Sequence, residues 1–181
     1  MAYLPREQRR AAIVDAALRV ARRSGLAGIT ARTVGQEVGG SPGLIHQHFA
    51  SMVELQAAAW RTYVAEQVDG FIADTWTPTA NPVLEFFANH RASPSAPDLN
   101  LWADAWAHAL RVPDFAPTYA DSLDVVVTAL QSSSPELGAI EAQRYMLLAV
   151  ALAGMRRISP ERYPPEVVDD IIADAATPTD G

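Results

Sequence analysis

The chain has 181 residues, 49% of them hydrophobic and 19% charged, and contains neither cysteine nor lysine, which excludes a disulfide framework and a thiolate metal site. No apolar run approaches the roughly eighteen residues of a membrane span, and the N-terminus MAYLPREQRR lacks a secretion signal's apolar centre, so the expected compartment is the cytoplasm. The net charge of −7 divides unevenly: residues 1–50 carry seven Arg against Glu7, Asp15 and Glu37, a net +4, and the rest carry seven Arg against eighteen acids, a net −11.

A basic end on an acidic body orients a molecule toward a polyanion and keeps the body away from it. The basic end opens with helix 1, Arg6 to Ser24. Ile13, Ala17, Val20 and Ala21 recur there at helical spacing, Arg9, Arg10, Arg19, Arg22 and Arg23 lie elsewhere on the cylinder, and Gly25 ends it. Arg6, Arg9 and Arg10 are either a solvated face or contacts to a polyanion. Helix 2 runs from Thr30, an N-cap type, to Val38, with Arg32, Thr33, Gln36 and Glu37 opposite Val34 and Val38. Gly39-Gly40 breaks it, since glycine takes the left-handed conformation of a tight turn. Ser41 caps helix 3 with Pro42 at its first position. Leu44, Ile45, His48 and Phe49 follow i, i+4 spacing, so part of that set faces inward and Gln47 lies between inward positions. Helix, glycine turn and capped short helix are the grammar of helix-turn-helix.

The motif is more specific than that pattern. Thr-Ala-Arg-Thr-Val at 30–34, the glycine turn, Ser-Pro-Gly-Leu-Ile-His-Gln-His-Phe at 41–49 and Glu54-Leu55 together resemble the DNA-binding domain of TetR/AcrR family transcriptional regulators. The resemblance runs from about Arg6 to Trp60. It implies an all-α protein with a three-helix DNA-binding domain over residues 1–50 and a ligand-binding and dimerisation body over 51–181. It also implies DNA contacts from Thr30, Arg32, Thr33, Ser41, Pro42, Gly43, Leu44, His46, Gln47 and His48, with double-stranded operator DNA as the partner. Three positions depart from the family pattern. Gly40 stands where an apolar residue is usual, which loosens the expected turn; His46 and His48 stand where aromatic residues are common; Met52 replaces a lysine that usually meets phosphate.

Ser51 caps helix 4, which reaches about Asp74 and is apolar over much of its circumference: Val53, Ala57, Trp60, Val64 and Phe71 on one stripe, Leu55, Ala59 and Tyr63 beside it. A helix of that kind has two neighbours to contact and is expected to link the DNA-binding part to the body. Residues 75–81 form a connection. Asn81-Pro82 opens helix 5, through about His90, and 92–97 is a loop. Asp98 caps helix 6, which ends at Pro113; helix 7 runs from Pro113 to about Leu130; Gln131 to Ser134 is a polar break. Pro135 opens helix 8, to about Arg157, and Glu166 to Ala176 is the last of about nine helices. No strand and no fixed-period repeat is expected.

Trp102 and Trp106 share a face of helix 6, and Phe86, Phe87 and His90 on helix 5 are able to meet them, with Tyr63 on helix 4. Core packing accounts for such aromatics; the family resemblance implies instead that they line an effector cavity. Helices 8 and 9 carry more apolar residues than one core requires, and in the family the two terminal helices form a dimer interface, expected here at Leu148, Leu152, Val168, Ile171 and Ile172. His46 and His48 are i, i+2 and point apart, a poor metal pair. Asp104 and His108 are i, i+4 and read as a surface ion pair. No nucleophile elbow, phosphate-binding glycine loop or zinc-protease motif is present, so neither enzyme nor cofactor is expected. The resulting expectation is a dimeric repressor of a palindromic operator, released by a small-molecule effector. Its alternatives are a helical ligand-binding dimer with impaired DNA binding and, behind that, an enzyme on a helical scaffold.

Overall fold

The computed structural model describes residues 5–75, 81–91 and 97–176. Among these the chain is all α with no strand. The order is α1 (Arg6–Ser24), a 3-10 turn (Leu26–Gly28), α2 (Ala31–Glu37), α3 (Pro42–His48), α4 (Met52–Thr75), α5 (Pro82–Phe86), α6 (Ala88–Arg91), α7 (Pro97–Arg111), α8 (Ala116–Ser133), α9 (Ala139–Ile158) and α10 (Pro165–Ala176). The expected helix 5 is broken at Phe87, whose backbone (φ −93°, ψ 3°) leaves the helical region while its ring is fully buried.

Four other boundaries move. α7 starts at Pro97, placing Asp98 in its first turn rather than at a cap. α8 starts at Ala116 because 113–115 form a turn, Ala116 N–H donating to Pro113 O. It continues through the expected polar break to Ser133, with the hydroxyls of Thr128 and Ser132 donating to carbonyls of their own helix instead of to groups outside it. α9 starts at Ala139 after a turn closed by Leu137 N–H on Ser134 O. Residues 76–80 of the expected connection, 92–96 of the expected loop and 177–181 of the tail lie outside the described residues.

The chain forms two compact units: Met1–Glu66 with Asp104–Ala120, and Gln67–Ala103 with Asp121–Gly181. In the first, the stripe Ile13, Ala17, Val20 and Ala21 is buried as its spacing implies, together with Leu55 and Trp60. Trp60 stacks on Tyr119 at 5.9 Å and tilts against Tyr63 at 5.3 Å. In the second, Phe87, Leu130, Tyr145, Leu152, Val168 and Ile172 form the core. Phe87 meets Tyr145 edge-on at 6.1 Å, and Phe86 meets Phe71 edge-on at the same distance.

Candidate nucleic-acid interface

The first unit is built around the two short helices α2 and α3. Thr30 caps α2: its hydroxyl accepts Thr33 N–H at 3.1 Å, and Thr33 Oγ1 accepts Thr30 N–H at 3.0 Å while donating to Gly28 O at 2.7 Å. Both threonines, expected as DNA contacts, therefore spend their side-chain hydrogen bonds on the start of α2, and Thr33 is the more occupied. Gly39 takes the left-handed conformation at φ +69°, as the turn requires, and Gly40 does not. A Cβ at Gly40 would lie 2.7 Å from Leu44 Cδ2, so Leu44 fills the space that a side chain there would occupy. Gly35 does what the sequence reading missed. A Cβ on it would lie 3.1–3.3 Å from backbone atoms of Ser41 and Pro42, so its bareness lets α2 meet the start of α3.

α3 is capped by Ser41, whose hydroxyl accepts Leu44 N–H at 3.4 Å, and Pro42 sits at its first position. Ile45 is its one buried residue; Pro42, Gly43, His46 and Gln47 are exposed and Leu44 and His48 half-buried. Nδ1 of His48 is buried without a partner, so the imidazole tautomer with its proton on Nε2 avoids burying an unpaired N–H. Arg32 is exposed on α2.

The basic end is less free than its sequence suggests. Arg19 (2.8 Å) and Arg23 (2.7 Å) both bind the carboxylate of Glu37, and these two hydrogen bonds hold the acid below its ordinary pKa. Arg22 pairs with Glu66. Arg10 donates to His48 O and, at 2.7 Å, to Glu54. Arg6, Arg9 and Arg32 make no ion pair among the described residues.

The end of α1 is joined to the second half of α7 within this unit. Leu26 N–H donates to Asp104 Oδ2 at 2.7 Å, and Leu26 O accepts from Gln56 Nε2 at 3.2 Å. Because Gln56 donates through its nitrogen, its Oε1 accepts from Nε2 of His108, also at 3.2 Å. Asp104 and His108 are thus not the expected surface ion pair. His108 is 4% exposed, and burial, outweighing the nearby Asp104 carboxylate, lowers its pKa. Gly25 fits this junction twice over, with φ +72° and with the Asp104 carboxylate 2.7–2.8 Å from where a Cβ would stand.

The expected effector residues do not share one compact unit. Tyr63 and Trp106 belong to the first, Tyr63 fully buried against Trp60 and Trp106 41% exposed. Phe86, Phe87, His90 and Trp102 belong to the second. Phe87 touches both Phe86 (5.0 Å) and His90 (5.5 Å). Phe87 is fully buried, as a core residue would be; Phe86 and Trp102 are half-buried. His90 donates from Nε2 to Ala149 O at 3.0 Å, and its own carbonyl accepts from the buried Arg156. Desolvation, reinforced by the Arg156 charge, pushes its pKa down to about 4.

The expected dimer residues differ in exposure. Leu152, Val168 and Ile172 are buried in the second unit's own core, and Leu148 and Ile171 pack half-buried against it. The large apolar side chains that α9 exposes are Ile140 (80%), Leu147 (60%), Met155 (37%) and Ile158 (74%), with Val167 (38%) on α10. Spacings of seven, eight and three residues keep the α9 set on one side of the helix.

This architecture is the fold of TetR-type transcriptional regulators. A transcriptional regulator from Rhodococcus sp. superimposes with a TM-score of 0.69 at 23% identity, over 92% of each chain. A TetR-family member from Streptomyces coelicolor A3 gives 0.70 at 23% identity, over 95% of this chain and 99% of that one. The multidrug binding protein EbrR, complexed with ethidium, gives 0.74 at 23% identity, over 93% and 98%. No curated protein matches the chain in sequence. Residues 13–59 match the model of the bacterial regulatory proteins of the tetR family, a match that covers the N-terminal part of the chain from α1 into α4.

Proposed function

We propose that the chain is a cytoplasmic, DNA-binding transcriptional repressor, not an enzyme, that holds a palindromic operator as a homodimer and releases it when a small molecule binds the body. The observation that carries this reading is the recognition helix: α3 buries Ile45 alone and leaves His46 and Gln47 exposed. Gln47 then reads a base edge, its amide suited to a bidentate pair with adenine. Arg32, with Ser41, Gly43 and the histidines, holds phosphate. Two such helices must stand roughly 34–36 Å apart to enter successive major grooves, which requires a second copy. The exposed stripe of α9, with Val167, supports that pairing.

Effector release requires a ligand that binds the released state better than the operator-bound one. α4 contributes residues to both compact units, which supports its role as the link. EbrR is complexed with ethidium and with proflavin in its structures. The edge-on Phe71–Phe86 pair, half-buried, supports a planar aromatic effector here as well. The test is selection of bound fragments from the source genome, followed by titration with ethidium and proflavin. Salt-dependent retardation of one palindromic fragment, reversed by either compound, is the expected result. Failure to retain any fragment would point to a ligand-binding dimer without operator function.

A further inference from the structure

We propose that Arg10 is a positioning residue that sets the recognition helix, rather than one of the cations that meet DNA; the inference rests on the DNA-binding reading above. α3 has seven residues, too few to hold a helix by its own hydrogen bonds, and only Ile45 anchors its flank. Its placement therefore depends on its two ends. The first is held by the Ser41 cap and by the close approach of Gly35 to Ser41 and Pro42.

Arg10 holds the second. Its Nη1 donates to the carbonyl of His48, the last residue of α3, where a helix leaves carbonyls without partners. Its Nη2 donates to Glu54 Oε1 at 2.7 Å in the first turn of α4. Its guanidinium lies 3.9 Å from the ring centre of Phe49, the residue that terminates α3. Glu54 accepts Ala50 N–H at 2.8 Å through its other oxygen, and its own N–H donates to Ser51 Oγ at 3.1 Å. One guanidinium thus ties α1 to the whole corner from His48 to Glu54. A fork of two parallel donors suits this task, and a single ammonium does not. Each terminal nitrogen already spends an N–H within the protein, so the guanidinium is committed to this corner before any phosphate is met.

The experiment measures affinity for the selected operator fragment and for unrelated DNA across a salt series. The proteins are the wild type, Arg10→Lys, Arg10→Gln and Glu54→Gln, each checked for folding by thermal melting. The expected result is at least a tenfold loss at the operator for both Arg10 variants, little change on unrelated DNA, and an unaltered salt slope. Glu54→Gln is expected to weaken operator binding too, although it removes a negative charge near the DNA-binding face. A phosphate contact behaves otherwise: Arg10→Lys keeps its binding, Arg10→Gln weakens all DNA alike, and the slope falls by about one. That pattern, or a Glu54→Gln protein binding as tightly as the wild type or tighter, overturns the proposal. An unfolded Arg10 variant leaves Glu54→Gln to decide it by the same measurements. A wild type that retains no fragment overturns the DNA-binding reading itself, and this inference with it.

Discussion

His90 should make the second unit's stability depend on pH between about 6.5 and about 4. The ring is 7% exposed and presses edge-on against Phe87 at 5.5 Å. Its Nε2 donates to Ala149 O, and Nδ1, the site a second proton would take, is buried with no partner. A proton there would place a cation beside Arg156, and the pKa falls from 6.5 to about 4. The unfolded chain binds this proton below about 6.5, whereas the folded chain refuses it until about 4. Between those values the unfolded state holds more protons, so stability is complete above the window and declines as the pH falls through it. Two and a half units correspond to roughly 3 kcal/mol at the acid end. Urea unfolding at pH 7, 6, 5 and 4.5 on the wild type and His90→Phe is the assay. Carboxylates titrate in both proteins, so the difference between the two curves isolates the histidine. His90→Phe should lose less stability on acidification than the wild type, by about 2 kcal/mol at pH 5. Parallel curves would refute the assignment of His90 as a neutral core residue.

Other outcomes follow from the same contacts. Gln47→Ala should relax preference at one operator position by about 1–3 kcal/mol, read by binding to single-base variants, and unchanged selectivity would mean the recognition helix is misoriented. Glutamate at both Leu147 and Ile158 should convert a dimer to soluble monomers by sedimentation; a monomeric wild type at micromolar concentration removes the interface. Asp104→Ala takes the acceptor from Leu26 N–H and should lower first-unit stability by about 1–3 kcal/mol in urea, with no change meaning that water replaces it.

Local signals in the sequence located most of the α2–α3 region. Thr30 and Ser41 are caps, Pro42 opens α3, and Gly25 and Gly39 take positive φ, because each of these features is decided by neighbours within a few residues. The Ser51–Glu54 spacing of a capping box was equally readable, but the arginine that joins it lies 44 residues away from Glu54. Side selection on α9 and α10 was not readable. Both faces of α9 are apolar, and hydrophobicity alone does not distinguish Leu152, which the chain buries itself, from Leu147, which it leaves outside. Asp104 and His108 misled for a related reason. Their spacing describes only their own helix, whereas their partners are Leu26 and Gln56.

Leu26 has its N–H held by a carboxylate from α7 and its C=O held by an amide from α4. That pairing makes one peptide-flanked residue an internal reporter on two helices at once. Exchange of its amide proton with deuterium is slowed while Asp104 is seated, and its carbonyl carbon resonance moves when Gln56 lets go. A compound added to the isotope-labelled protein can therefore be scored for whether it disturbs α7, α4 or both before any operator is known. A compound that accelerates exchange at Leu26 and leaves the carbonyl signal in place has loosened α7 alone.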